Sequence, residues 1–381
     1  MKFFKEASIV SILLLSLLLI PFVVSSSIDS TKIFAQGTIS YPNSQLCVDG
    51  TVIKDPSGNP VRLRGFNVEP RDMDEEGMQW LESRGFNSLR INFFWHRLEP
   101  REGRYDSTFL YRLDNLAGWC EKYGIYAILV FHQWQWSPYF TYYGSSGTGF
   151  PEWVIVGGGY PDSARGLRDC IADFFVNRGH GVFMRQKFVE TWTFLVNRYK
   201  DNPYVWAYEI FNEPTIAKGV SHYSEVYGAV MDFYEEITET IRAIDSETTI
   251  VYHSIGHGAE RQVPYGDIVW TKSWYDVAYE GYYPSTEYYE LVSRLQDIKT
   301  KYNVAFGTPF IVSEMGFFTG TTNAEQWIRD TFDVMRAIGL NEEVESWNWF
   351  IYDKGYKYGY ETPRNWDGSD GWIVSVLQEY A

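Results

Sequence analysis

Apolar positions along this chain recur in two alternating rhythms. A run of mostly β-branched and aromatic residues, as at 204–211, suits a strand buried on both faces. A run with apolar positions three and four apart suits a helix with one buried stripe. The first rhythm appears at 61–68, 88–94, 125–131, 204–211, 249–254, 268–275, 310–313 and 344–352. The second appears at 75–83, 108–123, 182–199, 225–244, 288–302, 325–338 and 372–380, with little helix after the fifth strand. Gly85 and Gly124 stand where the first two helices should stop. Eight strand-and-helix units over about 320 residues predict an α/β fold, a closed (β/α)8 TIM barrel, because a doubly wound sheet more often stops at five or six strands.

Two segments fall outside the alternation. Residues 46–58 read as short strands with turns at Asp49-Gly50 and Asp55-Pro56-Ser57-Gly58, a hairpin suited to plugging one end of the barrel. The stretch from His132 to His180 is far longer than a strand-to-helix connection needs. It is rich in aromatics, with Trp134, Trp136, Tyr139, Phe140, Tyr142, Tyr143, Phe150 and Trp153. It is either a satellite core over the barrel or the wall of an aromatic cleft.

The N-terminus is organised differently. Lys2 and Lys5 precede an apolar run at 7–24, and Ser25, Ser26 and Ser27 follow it. That order predicts a secretory signal peptide over 1–27 and a secreted, extracellular protein; an uncleaved membrane anchor is the competing reading. Residues 28–45 form a polar tether, and 46–381 the barrel domain.

Composition narrows the function. Trp 15, Tyr 29 and Phe 25 make the chain 18% aromatic, a surplus that fills a core or lines a site for flat ligands such as sugar rings. A formal charge of -16 with no basic stripe argues against nucleic acid. Cys47, Cys120 and Cys170 fit no zinc spacing. Cys120 reads as a small core residue, and in an exported protein Cys47 and Cys170 are candidates for a bridge.

The chemistry gathers at two strand ends. The strand at 204–211 runs into Asn212-Glu213-Pro214, and Pro309-Phe310-Ile311-Val312-Ser313-Glu314-Met315-Gly316 repeats the arrangement. In a barrel both carboxyl groups lie at the carboxyl ends of the strands, where such folds place their chemistry. Glu209, within the strand, is expected to face the helix layer, and Glu99 to make a structural loop contact.

Other phrases stand in order beside these: Leu63-Arg64-Gly65-Phe66-Asn67, Leu89-Arg90-Ile91, Phe131-His132, Arg198-Tyr199-Lys200-Asp201-Asn202-Pro203, and Trp347-Asn348-Trp349-Phe350-Ile351-Tyr352-Asp353-Lys354. Together they resemble glycoside hydrolase family 5, a retaining family on the (β/α)8 barrel, from about Gly50 to the C-terminus. The resemblance implies Glu213 as acid/base and Glu314 as nucleophile, the first kept protonated by burial and a neighbouring charge, the second kept ionised by a cation. It implies Arg90 as that cation, Asn212 on a sugar hydroxyl, His132 in the site's hydrogen-bond network, Tyr275 on Glu314, Trp349 as a sugar platform and Lys354 as a substrate contact. Asn212 as a turn cap, His132 as a core histidine and Trp349 as core filling are the alternatives. The family usually places His two residues before that Tyr; here Ser273 stands there, and His253 or His257 is a candidate substitute.

The substrate implied is a β-linked polysaccharide, oligosaccharide or glycolipid glycan, handled by a monomer without metal or other cofactor. Endo-β-1,4-glucanase or mannanase action leads. His132-Gln133, Ser137-Pro138-Tyr139-Phe140 and Gly149-Phe150-Pro151-Glu152-Trp153 resemble the endoglycoceramidase branch, which comes second, beside an exo-β-glycosidase. A carbohydrate-binding barrel that has lost catalysis is the non-enzyme alternative.

Overall fold

The computed structural model describes residues 45–142, 144, 147–214, 224–255, 259–275, 281–352, 360–365 and 368–380. The signal or anchor segment, the tether up to residue 44, His257 and Lys354 lie outside the described residues. Among the described residues no helix is long and apolar enough to cross a membrane.

The chain opens with an antiparallel hairpin, β1 (Cys47–Asp49) and β2 (Val52–Lys54). Eight parallel strands follow: β3 (Arg64–Val68), β4 (Ser88–Phe93), β5 (Tyr126–Phe131), β6 (Val205–Glu209), β7 (Thr249–His253), β8 (Ile268–Trp274), β9 (Phe310–Met315) and β10 (Trp347–Trp349). They pair in sequence order, and β10 closes on β3 to complete the barrel. The helices are α1 (Glu75–Ser83), α2 (Trp95–Leu98), α3 (Ser107–Tyr123), α4 (Glu152–Val156), α5 (Ala164–Val176), α6 (Gly181–Tyr199), α7 (Ser224–Arg242), α8 (Tyr288–Ile298), α9 (Ala324–Ala337) and α10 (Trp372–Glu379). No helix lies between β7 and β8 among the described residues.

Local signals set the helix ends. The Asp106 carboxylate accepts from Phe109 N at 2.7 Å to start α3, and Gly124 ends it in the left-handed region. Asp74 and Ser163 cap α1 and α5 in the same way.

Two apolar shells hold the barrel. Outside the strands, aromatic and aliphatic side chains fill the space under the helices. Inside, at the amino end of the strands, Ile128, Ala207, Val251, Val269 and Ile311 meet Leu46 and Ile53 of the hairpin segment, which stoppers that end.

The 132–180 insertion carries α4 and α5. Trp136, Phe140 and Phe150 are buried in it, and the Trp136 ring stacks on Phe150 at 4.4 Å and meets Phe174 and Phe211 edge-on or tilted. Its aromatics are therefore mostly a satellite core. Glu99 ties it down: its carboxylate accepts from Trp95 Nε1 and Gly103 N, and its carbonyl from Trp153 Nε1 at 2.9 Å. Cys47 and Cys170 are both free, which corrects the suggested bridge. Cys170 is buried in α5 with its Sγ 3.9 Å from Met184 Sδ, whereas Cys47 belongs to the stopper hairpin.

Candidate active site

One pleat above the apolar plug, the lumen turns polar. Side chains alternate across a strand, so above Val251 the next inward residue of β7 is His253, and in β6 the inward neighbour of outward-facing Tyr208 is Glu209. Glu209 is fully buried and faces Arg90, not the helix layer. The expectation for it is thus corrected, and alternation counted from Tyr208 is the signal that would have found it.

Arg90 organises this layer from β4. Its Nε donates to Glu209 Oε2 at 2.7 Å, and its Nη2 to Glu209 Oε1 at 2.5 Å and to Asn212 Oδ1 at 2.8 Å. Its Nη1 donates to Asn67 Oδ1 at 2.8 Å and to Glu314 Oε1. All five N–H groups of the guanidinium fork are spent. Burial works against its charge, but Glu209 and Glu314 outweigh that and hold it protonated.

Glu314 is the last residue but one of β9 and is 4% exposed. Besides Arg90, its Oε1 lies 3.2 Å from His132 Nε2, and its Oε2 accepts from the Tyr275 hydroxyl at 2.9 Å. Burial alone would raise its pKa; Arg90, then His132 and Tyr275, overcome this and hold the carboxyl well below the usual carboxylate range. Glu213 lies just past β6 with φ of 44°, a left-handed conformation that costs a non-glycine residue about 1 kcal/mol. Part of its surface meets solvent, yet the carboxyl is crowded by protein. Burial first and the Glu314 charge second push its pKa up, with only partial opposition from His253, Ser273 and His132. Two neighbouring carboxyl groups therefore differ: one holds its proton and the other gives it up.

The surrounding residues fix their backbones. Asn212 is buried between Arg90 and the insertion, its Nδ2 donating to Gln133 O at 3.1 Å. Gln133 answers with its own amide, Nε2 donating to Asn212 O at 3.1 Å and Glu213 O at 2.9 Å, while its Oε1 accepts from Trp136 N. Gln133 clamps the strained peptide at Glu213, a role its sequence position gave no means of seeing. His253 bonds Glu209 through Nδ1 at 3.2 Å and does not touch Glu314, so it does not stand in for a histidine on the Glu314 carboxylate. Ser273 lies near Glu213, half-buried, with its Oγ shielded from solvent and without a hydrogen bond of normal geometry.

Trp349 departs from expectation. It is 0% exposed, its Nε1 donates to Glu361 O at 3.0 Å, and its ring meets Phe317 edge-on at 5.2 Å. The ring is closed off from solvent, so it serves as core, not as an open platform. Trp347 is likewise buried, between Phe86 and Phe332.

Comparison with known proteins gives a consistent picture. Residues 54–355 match the family model described as Cellulase (glycosyl hydrolase family 5). An endoglycoceramidase of Hydra vulgaris is 24% identical over 226 residues, covering 50% of this chain and 42% of its own length. An endoglycoceramidase of Cyanea nozakii is 21% identical over 320 residues, covering 73% and 60%. The chain thus spans about half the length of these curated relatives. Among solved structures, endo-glycoceramidase II from Rhodococcus sp. in a cellobiose-like isofagomine complex superposes with a TM-score of 0.74 at 21% identity, over 87% of this chain and 81% of the other. An endogalactoceramidase does so at 0.70 and 20%, over 88% and 84%. At these identities the structures speak for a shared fold.

Proposed function

Since the chain belongs to glycosyl hydrolase family 5, we propose that it is a retaining O-glycosyl hydrolase acting on a β-linked glycan, with Glu314 as nucleophile and Glu213 as acid/base. The observation that carries this is the opposite electrostatic treatment of the two carboxyl groups.

The ionised Glu314 oxygen attacks the anomeric carbon while the glycosidic oxygen leaves with the proton of Glu213, giving a glycosyl ester on Glu314 and an ionised Glu213. Esterification removes the charge that held the Glu213 pKa up, so Glu213 now falls toward the ordinary range and acts as a base. It takes a proton from water, the water oxygen bonds to the anomeric carbon, and the Glu314 carboxylate departs. Arg90, with Asn212 and Glu209 on its other flank, holds Glu314 in line throughout.

We place a glycolipid glycan ahead of β-1,4-polysaccharide as substrate, reversing the order read from the sequence. Supporting this are the curated relatives, three named endoglycoceramidase and one, from Cryptococcus neoformans, named glucosylceramidase. One panel tests it: a glycosphingolipid, carboxymethylcellulose, mannan and aryl β-glycosides. Release of intact glycan from the glycosphingolipid is expected, and Glu213→Gln and Glu314→Gln should each lower the rate by about a hundredfold or more with the fold retained. Depolymerised polysaccharide with untouched glycolipid would restore the polysaccharide reading, and undiminished activity in both variants would end the assignment.

A further inference from the structure

An exposed tryptophan stands beside this site. Trp134 follows His132 by two residues, a separation of at most about 7 Å along the chain. Its ring is 45% exposed in a protein that buries most of its tryptophans. Among the described residues, Trp372 is the other strongly exposed tryptophan, and it stacks on Phe317, whereas the Trp134 ring meets no other aromatic ring there.

Exposure alone means little; the construction beneath the ring means more. Trp134 N donates to Thr148 O at 3.1 Å and to Thr148 Oγ1 at 3.1 Å, and its carbonyl accepts from Thr148 N at 2.7 Å. The opposing arm lies so close that a Cβ on Gly147 would sit 2.7 Å from Trp134 O and 2.8 Å from Gln135 O. A Cβ on Gly149 would sit 2.6 Å from Trp136 O and 2.7 Å from Gln133 Cβ. The preceding residue is Gln133, whose amide clamps the carbonyls of Asn212 and Glu213. The indole is therefore carried on a fixed turn that shares its anchor with the acid/base. A rigid, half-open aromatic face at the rim is preorganised for contact with a flat ligand, and Trp349 offers no such face.

We propose that Trp134 forms a stacking subsite for a pyranose ring of the glycan beyond the ring being cleaved, a reading that rests on the glycosidase assignment above. The apolar C–H face of the sugar covers the indole while its hydroxyls stay hydrated at the rim.

Aryl β-glucoside and aryl β-cellobioside, which differ by one β-1,4-linked glucose, isolate this contact in the full-length protein. Trp134→Ala should lower kcat/KM for the cellobioside by about tenfold, mainly through KM, and leave the glucoside unchanged. Trp134→Phe should recover most of the loss, which a loop damaged by the substitution would not do. Equal losses on both substrates, or none on either, overturn the proposal, as does a loss confined to glycolipids through their alkyl chains. If the wild-type protein cleaves neither aryl glycoside, the glycosidase assignment is decided by the glycosphingolipid assay above and fails only if that is negative as well. The subsite is then judged by quenching of tryptophan fluorescence on titration with cellobiose: quenching abolished in Trp134→Ala supports it, and quenching absent or unchanged overturns it.

Discussion

At the scale of single residues, the site works by giving identical side chains different surroundings. Glu314 receives Arg90, His132 and Tyr275; Glu213 receives burial and the Glu314 charge. The Tyr275 hydroxyl stabilises the ionised form of Glu314, so in Tyr275→Phe that carboxyl should bind a proton more readily. The acidic limb of kcat/KM against pH should then move upward by about one unit, while the alkaline limb, set by Glu213, stays in place. A pH–rate profile with both limbs unmoved would show that the hydroxyl does not tune Glu314. Legibility varied at this scale. Arg90 within β4, and His132, Asn212, Glu213, Tyr275 and Glu314 at or next to strand ends, are singled out from the sequence, and the structure brings them together. Glu209 was misread although alternation within its own strand turns it inward, and Gln133 was missed because its partners come from a distant part of the chain. Trp349 was misread because the strand pattern does not tell which Trp faces lie open.

At the scale of elements, the insertion after β5 does two jobs with one set of residues. Its inner face, from Trp136 to Phe175, is a satellite core, and its first turn holds the backbone of Glu213. Gly147 is where the two arms touch. A methyl there collides with three carbonyl oxygens at 2.7–2.8 Å, so Gly147→Ala should destabilise the protein by about 1–3 kcal/mol. It should also reproduce part of the cellobioside defect of Trp134→Ala, and a variant with unchanged melting temperature would refute the close approach. The barrel strands were readable because both faces are buried, which leaves continuous apolar runs. The short helix α2 and the close of α8 in a wider turn at Lys299–Ala305 were not, since both depend on tertiary contacts and not on a repeating pattern.

At the scale of the whole molecule, the site is held together at some expense to the fold. Glu213 has a pKa above its ordinary 4.5, so its ionisation is less favourable folded than unfolded. The penalty is absent below about pH 4.5 and grows as pH rises through the elevated value. Glu213→Gln removes it, and melting temperatures of variant and wild type should coincide in acid and separate toward neutral pH, with the inactive variant the more stable. Coincident melts across the range would mean the coupling is weaker than the geometry implies. The hairpin has a consequence of a different kind. Leu46 and Ile53 stopper the amino end of the barrel, so the lumen is blocked on that side. Whatever reaches the two carboxyl groups, and whatever leaves them, has to pass on the side where the strands end.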